Sequence, residues 1–417
     1  MGAFEDGELV GLQGQDFDDD LIKIPRRQAR SNIGTRILMQ RCAASATLLG
    51  ATSHVMMRLA QKFDAVRLVV FNPCASAVTA MKASVSAGGS TAAPLNSGGA
   101  WKGVTWAGGA GTVNLPLTAD AQNPSITLSD WIDVEGDDSR LLSVRIYVPA
   151  GGNVEHPIHS ASVVAANMEN YPDREWIMKN QVGDFVGAPA GMNSAGSINV
   201  GMVAGVQYMA RGEVLSVFGF GDSIMQGFGS ASGVDSHALK GVASVAGETG
   251  AAIEFANMGW QSQTTAQTLA RLSAAVPLLK PHAVIYAAFS PNDGDPDAAK
   301  AAAQKARLAR ARAACADVGA TLVPVTGLPV NVSAVASKYS DGADDMRKSV
   351  NDVVRALDNA VDIDVEVADT TRPGKASRFR TVAAGFPVDY TTDFLHPTDA
   401  GYAAGAPKIA RALRKLL

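Results

Sequence analysis

The sequence predicts a three-layer α/β/α sandwich with five parallel strands, flavodoxin-like in arrangement, preceded by a jelly-roll-like β-sandwich. Three observations carry this. From residue 214 onward, short apolar runs alternate with longer helix-patterned segments, the mark of a parallel sheet with crossover helices. Between about residues 65 and 165, short strands are instead separated by Gly, Ser, Pro and Asn clusters. The change falls where an apolar strand, Val214 to Phe220, runs into Gly221-Asp222-Ser223 and a glycine-rich turn.

The totals bound the function before any motif is read. A chain of 417 residues has the length of two or three domains and ample core volume. Hydrophobic residues at 47% and charged residues at 18% fit a soluble globular protein. A net charge of −4 and the lack of a basic stripe argue against nucleic acid as a partner. The short basic cluster from Lys23 to Arg30 reads as a solvated turn. No apolar run approaches a membrane span. The N-terminus is acidic and lacks the basic-then-apolar order of a signal peptide. The compartment therefore stays open: the protein remains inside, travels by another route such as a phage particle, or is exported with a leader outside this sequence. Cys42, Cys74 and Cys315 have no metal-type spacing and read as buried thiols, with a Cys42–Cys74 disulfide as the alternative in an exported protein.

Taken in order, residues 1–34 read as an extended arm, acidic and then basic, while 35–64 carry mixed apolar spacing that fits helix or strand. Residues 1–64 are thus set apart as an N-terminal arm and irregular segment. Residues 65–212 form the accessory β-sandwich, with strands such as Arg67-Leu-Val-Val-Phe-Asn-Pro73 and Leu142-Ser-Val-Arg-Ile-Tyr-Val148. Pro116 belongs at an edge or bulge. His156 and His159, with Glu155 beside them, are too few to argue for a metal, and a strand end is preferred. Trp176 and Met178 are placed to pack across to the next domain. Residues 213–417 form the α/β domain, with strands at 214–220, 252–258, 283–289, 321–327 and 365–369. Helices are expected near 236–248, 262–278, 297–317, 342–359 and 399–416. The third begins with strong helix formers and is followed by Gly319 as a stop.

Ser223 sits just past the carboxyl end of a buried strand, where α/β folds hold their ligands. A serine nucleophile needs a base, a group to orient it, and donors for an oxyanion. Of six histidines, His396 lies in Asp393-Phe-Leu-His396, before the last helix. The three-residue spacing lets Asp393 hold the imidazole Nδ1–H and leave Nε2 free for the serine proton. Oxyanion donors are expected at the Ser223 amide, at Gly259 in Asn257-Met-Gly-Trp260, and at the Asn292 side chain in Ser290-Pro-Asn-Asp293. Each alone reads more readily as a plain turn. Their order along the chain, all at strand ends, is what joins them.

Gly221-Asp222-Ser223, Gly259, Asn292-Asp293 and Asp393-x-x-His396 resemble the four blocks of the SGNH (GDSL-type) hydrolases, over the stretch from 214 to the end. Two positions depart from the pattern: Ser290 stands where the third block begins with glycine, and Ile224 follows the nucleophile in place of leucine. The resemblance implies ester hydrolysis through an acyl-serine, with no metal or cofactor. The β-rich segment is similar to the N-terminal sandwich of some exported bacterial members, implying a carbohydrate-facing or pocket-shaping role. Ile224, Trp260 and Phe394 neighbour the proposed catalytic residues in sequence and are candidates to narrow the acyl pocket; ordinary core packing is the competing reading for each. The expected substrate is a small-molecule or polysaccharide ester, most of all an O-acetyl group on carbohydrate. A short-chain lipase or arylesterase is the alternative. A virion, surface or carbohydrate-binding protein built on an inactive hydrolase fold is the reading from another class.

Overall fold

The computed structural model describes residues 32–38, 42–45, 50–72, 78–89, 99–115, 125–149, 154–157, 176–187, 192, 203–231, 235–372 and 374–417. Its first strands are β1 (Ile33–Leu38), β2 (Cys42–Ser45), β3 (Ala51–Arg58), β4 (Phe63–Asn72) and β5 (Val78–Ala87). Then come β6 (Lys102–Gly103), β7 (Val113–Leu115), β8 (Ser125–Leu128), β9 (Ile132–Asp133) and β10 (Leu141–Val148). β11 (Val154–Pro157), β12 (Trp176–Val182) and β13 (Val203–Ala210) close the β-rich half.

The second half alternates. β14 (Leu215–Gly221) leads into α1 (Ser223–Gln226) and α2 (His237–Thr249). β15 (Ile253–Gly259), α3 (Thr265–Leu279), β16 (Ala283–Ala287), α4 (Ala298–Asp317) and β17 (Thr321–Val325) follow. A small hairpin, β18 (Asn331–Ser333) and β19 (Ala336–Ser337), precedes α5 (Asp341–Arg355), α6 (Asp364–Val367) and α7 (Asp399–Arg414). The five long helices match the sequence expectation. Their starts are capped by Ser236, Thr264, Asp297, Ser340 and Thr398, each accepting an N–H from the first turn.

One nine-stranded sheet runs through both halves in the order β17-β16-β14-β15-β1-β13-β4-β8, with β9 also on β4. β17, β16, β14, β15 and β1 are parallel. β1 is antiparallel to β13, and the strands beyond it are antiparallel too. A second antiparallel sheet, β12-β3-β10-β5-β6 with β7 on β5, faces the β4–β13 end. Along β4, Val66, Leu68 and Val70 enter the sandwich core with Val55, Val144 and Ile146. Val69 and Phe71, on its other face, join Ile37 against Leu269, Leu272 and Val276 of α3. The period of two in a strand thus serves two cores from one sequence. Across the parallel part, α2 and α7 cover one face, while α3, α4 and α5 cover the other.

Two expectations need correction. Residues 33–38, read within or beside an arm, form β1 of the central sheet: Ile37 and Leu38 pair with Ala256 and Asn257 of β15. The expected fifth parallel strand at 365–369 is replaced there by α6, and β1 supplies the fifth parallel strand at the opposite side. Val361-Asp-Ile-Asp-Val-Glu-Val alternates like a strand, yet only Val361 reaches the sheet, in a single parallel bridge to Val325. Thr326 Oγ1 then accepts the N–H groups of Ile363 and Asp364 at 3.0 Å each, turning the chain. The turn delivers Asp364 to the fully buried Arg347, 2.9 Å away, which also pairs with Asp344 at 2.8 Å. A continued strand would strip that buried guanidinium of one of its two carboxylates, a costly loss.

The junction between halves is polar and closed. Glu254 of β15 accepts the Tyr208 hydroxyl at 2.9 Å and the Ala60 N–H at 2.6 Å, and lies 3.7 Å from the Arg36 guanidinium. Cys315 is buried, and burial pushes its thiol up to about 12. The Cys42–Cys74 pairing, the basic cluster at 23–30, Pro116, the His156–His159 pair and the packing of Trp176 and Met178 fall outside the described residues and side chains. No helix among the described residues is long and apolar enough to cross a membrane.

Gly205 of β13 lies opposite Ile37 of β1, and a Cβ there would sit 2.1 Å from the Arg36 carbonyl oxygen. Gly205→Ala must push β1 and β13 apart and is expected to destabilise the protein by about 1–3 kcal/mol. Urea denaturation of the two proteins measures this, and an unchanged midpoint would show that the β1–β13 seam does not carry stability.

Candidate active site

The site begins where β14 ends. All seven residues of β14 are buried, so the strand fixes its own carboxyl end firmly. Asp222 then caps α1, its Oδ1 accepting the Ile224 N–H at 2.9 Å, and α1 lasts a single turn before Gly227 at φ 100°. Ser223 is the first residue of that turn. Its amide has no intrahelical acceptor, as at any helix start. Its Oγ lies 2.8 Å from Nε2 of His396.

His396 is held from the other side by Asp393. Oδ2 of Asp393 is 2.5 Å from His396 Nδ1. Oδ1 accepts the backbone N–H of His396 at 2.7 Å and that of Leu395 at 3.0 Å. This tight loop puts Phe394 at φ 65°, in the left-handed region. Burial opposes ionisation of Asp393, but the hydrogen bonds from His396 and the two amides win and hold its carboxyl below the usual range. An ionised Asp393 on Nδ1 sets the tautomer in which Nε2 faces the Ser223 hydroxyl.

The third strand end supplies Asn292. Asp293 anchors that loop by accepting the Thr265 hydroxyl at 2.6 Å and the Gln304 amide at 2.7 Å. Asn292 is exposed; its Nδ2 donates one hydrogen to the Gln263 carbonyl at 3.0 Å and keeps a second. Ser290, the departure from glycine, is not idle. Its Oγ lies 2.5 Å from Asp222 Oδ2 and 2.9 Å from the Gln263 oxygen, and accepts the Asn292 N–H at 3.2 Å. One hydroxyl therefore ties the loops of Ser223, Gln263 and Asn292 together. Burial raises the Asp222 carboxyl above its ordinary value, against the hydrogen bonds from Ser290 and Ile224.

Gly259 does not stand open as a donor: its N–H donates to Asn257 Oδ1 at 2.9 Å. Its lack of a side chain serves packing instead, since a Cβ would sit 2.3 Å from the Gln226 amide of α1. The sequence reading missed Ser262. It lies three residues on, at φ 65°, and its N–H has no hydrogen-bond partner among the described residues. A serine in a left-handed turn gives no sequence signal, because such positions are ordinarily marked by glycine.

The three expected pocket residues separate. Ile224 lines a small apolar cavity with Phe289, Pro291, Leu328 and His237, next to Asp222. Phe394 is half-buried in the Asp393 loop. Trp260 points into the core beside Leu269, with Arg271 5.6 Å over its ring. Among the described residues, no three His, Cys, Asp or Glu side chains converge as metal ligands.

Residues 220–404 match the family model of the GDSL-like lipase/acylhydrolases. These residues belong to that family. The GDSL domain therefore carries an ester-hydrolase fold and motif set, as the sequence resemblance implied. Solved structures similar to the chain include the lipase/acylhydrolase from Enterococcus faecalis, at 20% identity and TM-score 0.38, covering 48% of this chain and 96% of that one. A GDSL-like lipase from Bacteroides thetaiotaomicron matches at 18% identity and TM-score 0.35, covering 48% and 89%. A carbohydrate acetylesterase family member from Sinorhizobium meliloti matches at 15% identity and TM-score 0.35, covering 49% and 99%. No curated protein matches the chain.

His237, which closes the cavity beneath Asp222, is fully buried, and burial lowers its pKa from 6.5 to about 4. Between those values the unfolded chain binds a proton that the folded protein refuses. Stability is therefore untouched above pH 6.5 and lost as the pH falls toward 4, by roughly 3 kcal/mol in all. His237→Gln is expected to remove this component. Urea midpoints of both proteins at pH 7.5 and 4.5 check it: an equal acid loss in the two would assign the effect elsewhere.

Proposed function

We propose that the GDSL domain is a serine esterase that removes short acyl groups, O-acetyl groups on carbohydrate above all. The observation that carries the reading is the continuous chain from Ser223 Oγ through His396 to Asp393, at 2.8 and 2.5 Å. Those are the distances at which a base takes a serine proton and a carboxylate steadies the resulting imidazolium.

In this reading His396 Nε2 removes the Ser223 proton as Oγ attacks the ester carbonyl. The carbonyl electron pair moves onto oxygen, giving a tetrahedral oxyanion. The Ser223 amide and the second Asn292 hydrogen face it as donors. The unengaged Ser262 N–H supports placing the third donor there rather than at Gly259, whose amide is already bonded. Collapse breaks the ester C–O bond, and the leaving oxygen takes the proton from His396. Water, deprotonated by the same histidine, then releases the acid from Ser223. No step needs a metal or cofactor. The short acyl group is carried by the sequence neighbourhood of the catalytic residues, Ile224 after Ser223 and Phe394 after Asp393.

The test is hydrolysis of p-nitrophenyl acetate, butyrate and octanoate, followed by acetylated polysaccharide. Ser223→Ala is expected to abolish turnover on all of them. Asn292→Ala is expected to lower kcat about 100-fold, as loss of one oxyanion donor does. Acetate should be the best chain length. A preference for octanoate would move the reading to a lipase, and equal rates in wild type and Ser223→Ala would remove Ser223 from the mechanism.

A further inference from the structure

Phe228 stands five residues beyond Ser223 and has no part in the steps above. Its ring centroid lies 4.7 Å from that of the His396 imidazole, edge to face at 63°. Its side chain is 38% exposed, and among the described residues it is the only aromatic in the set of exposed large apolar side chains. The ring therefore presents part of its apolar surface to solvent directly beside the histidine.

The backbone holds this ring in a fixed place. The Phe228 N–H donates to the Ser223 carbonyl at 2.9 Å. Its own carbonyl accepts the hydroxyl of the buried Tyr402 at 2.7 Å. Gly227 and Gly229 flank it at φ 100° and 95°, so the turn closes tightly on both sides. A Cβ on Gly229 would lie 2.8 Å from both His396 Cβ and the Pro397 oxygen, which shows how closely the turn packs on the histidine loop. The backbone that carries the ring is thus fixed on the histidine loop, with the ring against the imidazole.

The chemistry says what meets it. When the ester bond breaks, its electron pair goes to the alcohol oxygen, and the proton on His396 Nε2 moves to that oxygen. The alcohol oxygen must then lie within about 2.6–3.2 Å of Nε2. The carbon skeleton of the alcohol therefore begins beside the imidazole, within reach of the Phe228 ring 4.7 Å from it. We propose that Phe228 is the platform for the leaving alcohol and selects alcohols with a flat apolar face, either the C–H face of a sugar ring or an aryl ring. This rests on Ser223 and His396 acting as proposed above, and it adds the alcohol side of the substrate.

The test compares wild type, Phe228→Ala and Phe228→Tyr on three acetates: an acetylated methyl glucopyranoside, phenyl acetate and ethyl acetate. Decay of the acetyl-Ser223 enzyme, followed by mass spectrometry, is measured alongside. The alcohol has left by that stage, so the decay reports His396 alone. In Phe228→Ala the ratio of kcat/KM for ring to acyclic acetates is expected to fall about 10-fold, the scale of one aromatic stacking contact. Acetyl-enzyme decay should hold its wild-type rate, and Phe228→Tyr should restore the ratio. A fall confined to the glucopyranoside names a sugar as the alcohol, and one confined to phenyl acetate names an aryl alcohol. An equal loss on all three acetates with slowed decay would overturn the proposal, leaving Phe228 as support for the imidazole. An unchanged ratio would also overturn it. Failure of the esterase reading looks different: wild type would turn over none of the three and form no acetyl-Ser223.

Discussion

The edge of β15 is the constraint on which the rest depends. Without β1, the backbone groups on that side of β15 would face neither strand nor helix, in the middle of the molecule. β1 satisfies them, and in doing so it joins a parallel sheet to an antiparallel one. It is parallel to β15 on one side and antiparallel to β13 on the other. The two halves of the chain then share a hydrophobic core through Ile37, Val69 and Phe71, and a buried polar seam through Arg36, Tyr208 and Glu254. Ser216 of β14 belongs to the same seam: its Oγ accepts the Thr35 N–H at 3.1 Å.

The candidate site inherits its order from this sheet. Ser223, the Ser262 turn and the Asn292 loop each follow the carboxyl end of a neighbouring parallel strand, so the spacing of strands sets the spacing of loops. Fine alignment comes from side chains beneath the surface. Ser290 links the Asp222 cap, the Gln263 carbonyl and the Asn292 amide, while Asp293 fastens the Asn292 loop to α3 and α4. The Asp393 loop and the Phe228 turn close on His396 from two sides. Groups held in this way need little reorganisation when charge develops.

Some of this was legible because it is local. Asp393 and His396 are three residues apart, and a single turn brings them together whatever the rest of the chain does. The helices announced themselves through their alternation with apolar strands and through helix formers, as in the alanine-rich α4 with Gly319 after it. Other features misled for equally physical reasons. The 361–367 stretch alternates like a strand, but Thr326 and the buried Arg347 compete for its backbone and for Asp364, and they prevail. Gly259 looked like an amide held open for a ligand. Its glycine is required instead by the close approach of α1, and the left-handed turn falls on Ser262.

By itself the sequence determined what short-range chemistry can set: the alternation of strands and helices after 214, the order of the blocks around Ser223, Asn292 and His396, and the orientation of His396 by Asp393. Tertiary structure alone decided that β1 would leave the N-terminal segment to complete the sheet, that Trp260 would turn into the core, and that Ser290 and Phe228 would meet the site. The reason is range. Those outcomes depend on partners far along the chain, such as β15 for β1 or Asp222 for Ser290, and such pairings leave no periodicity or spacing in the residues that make them.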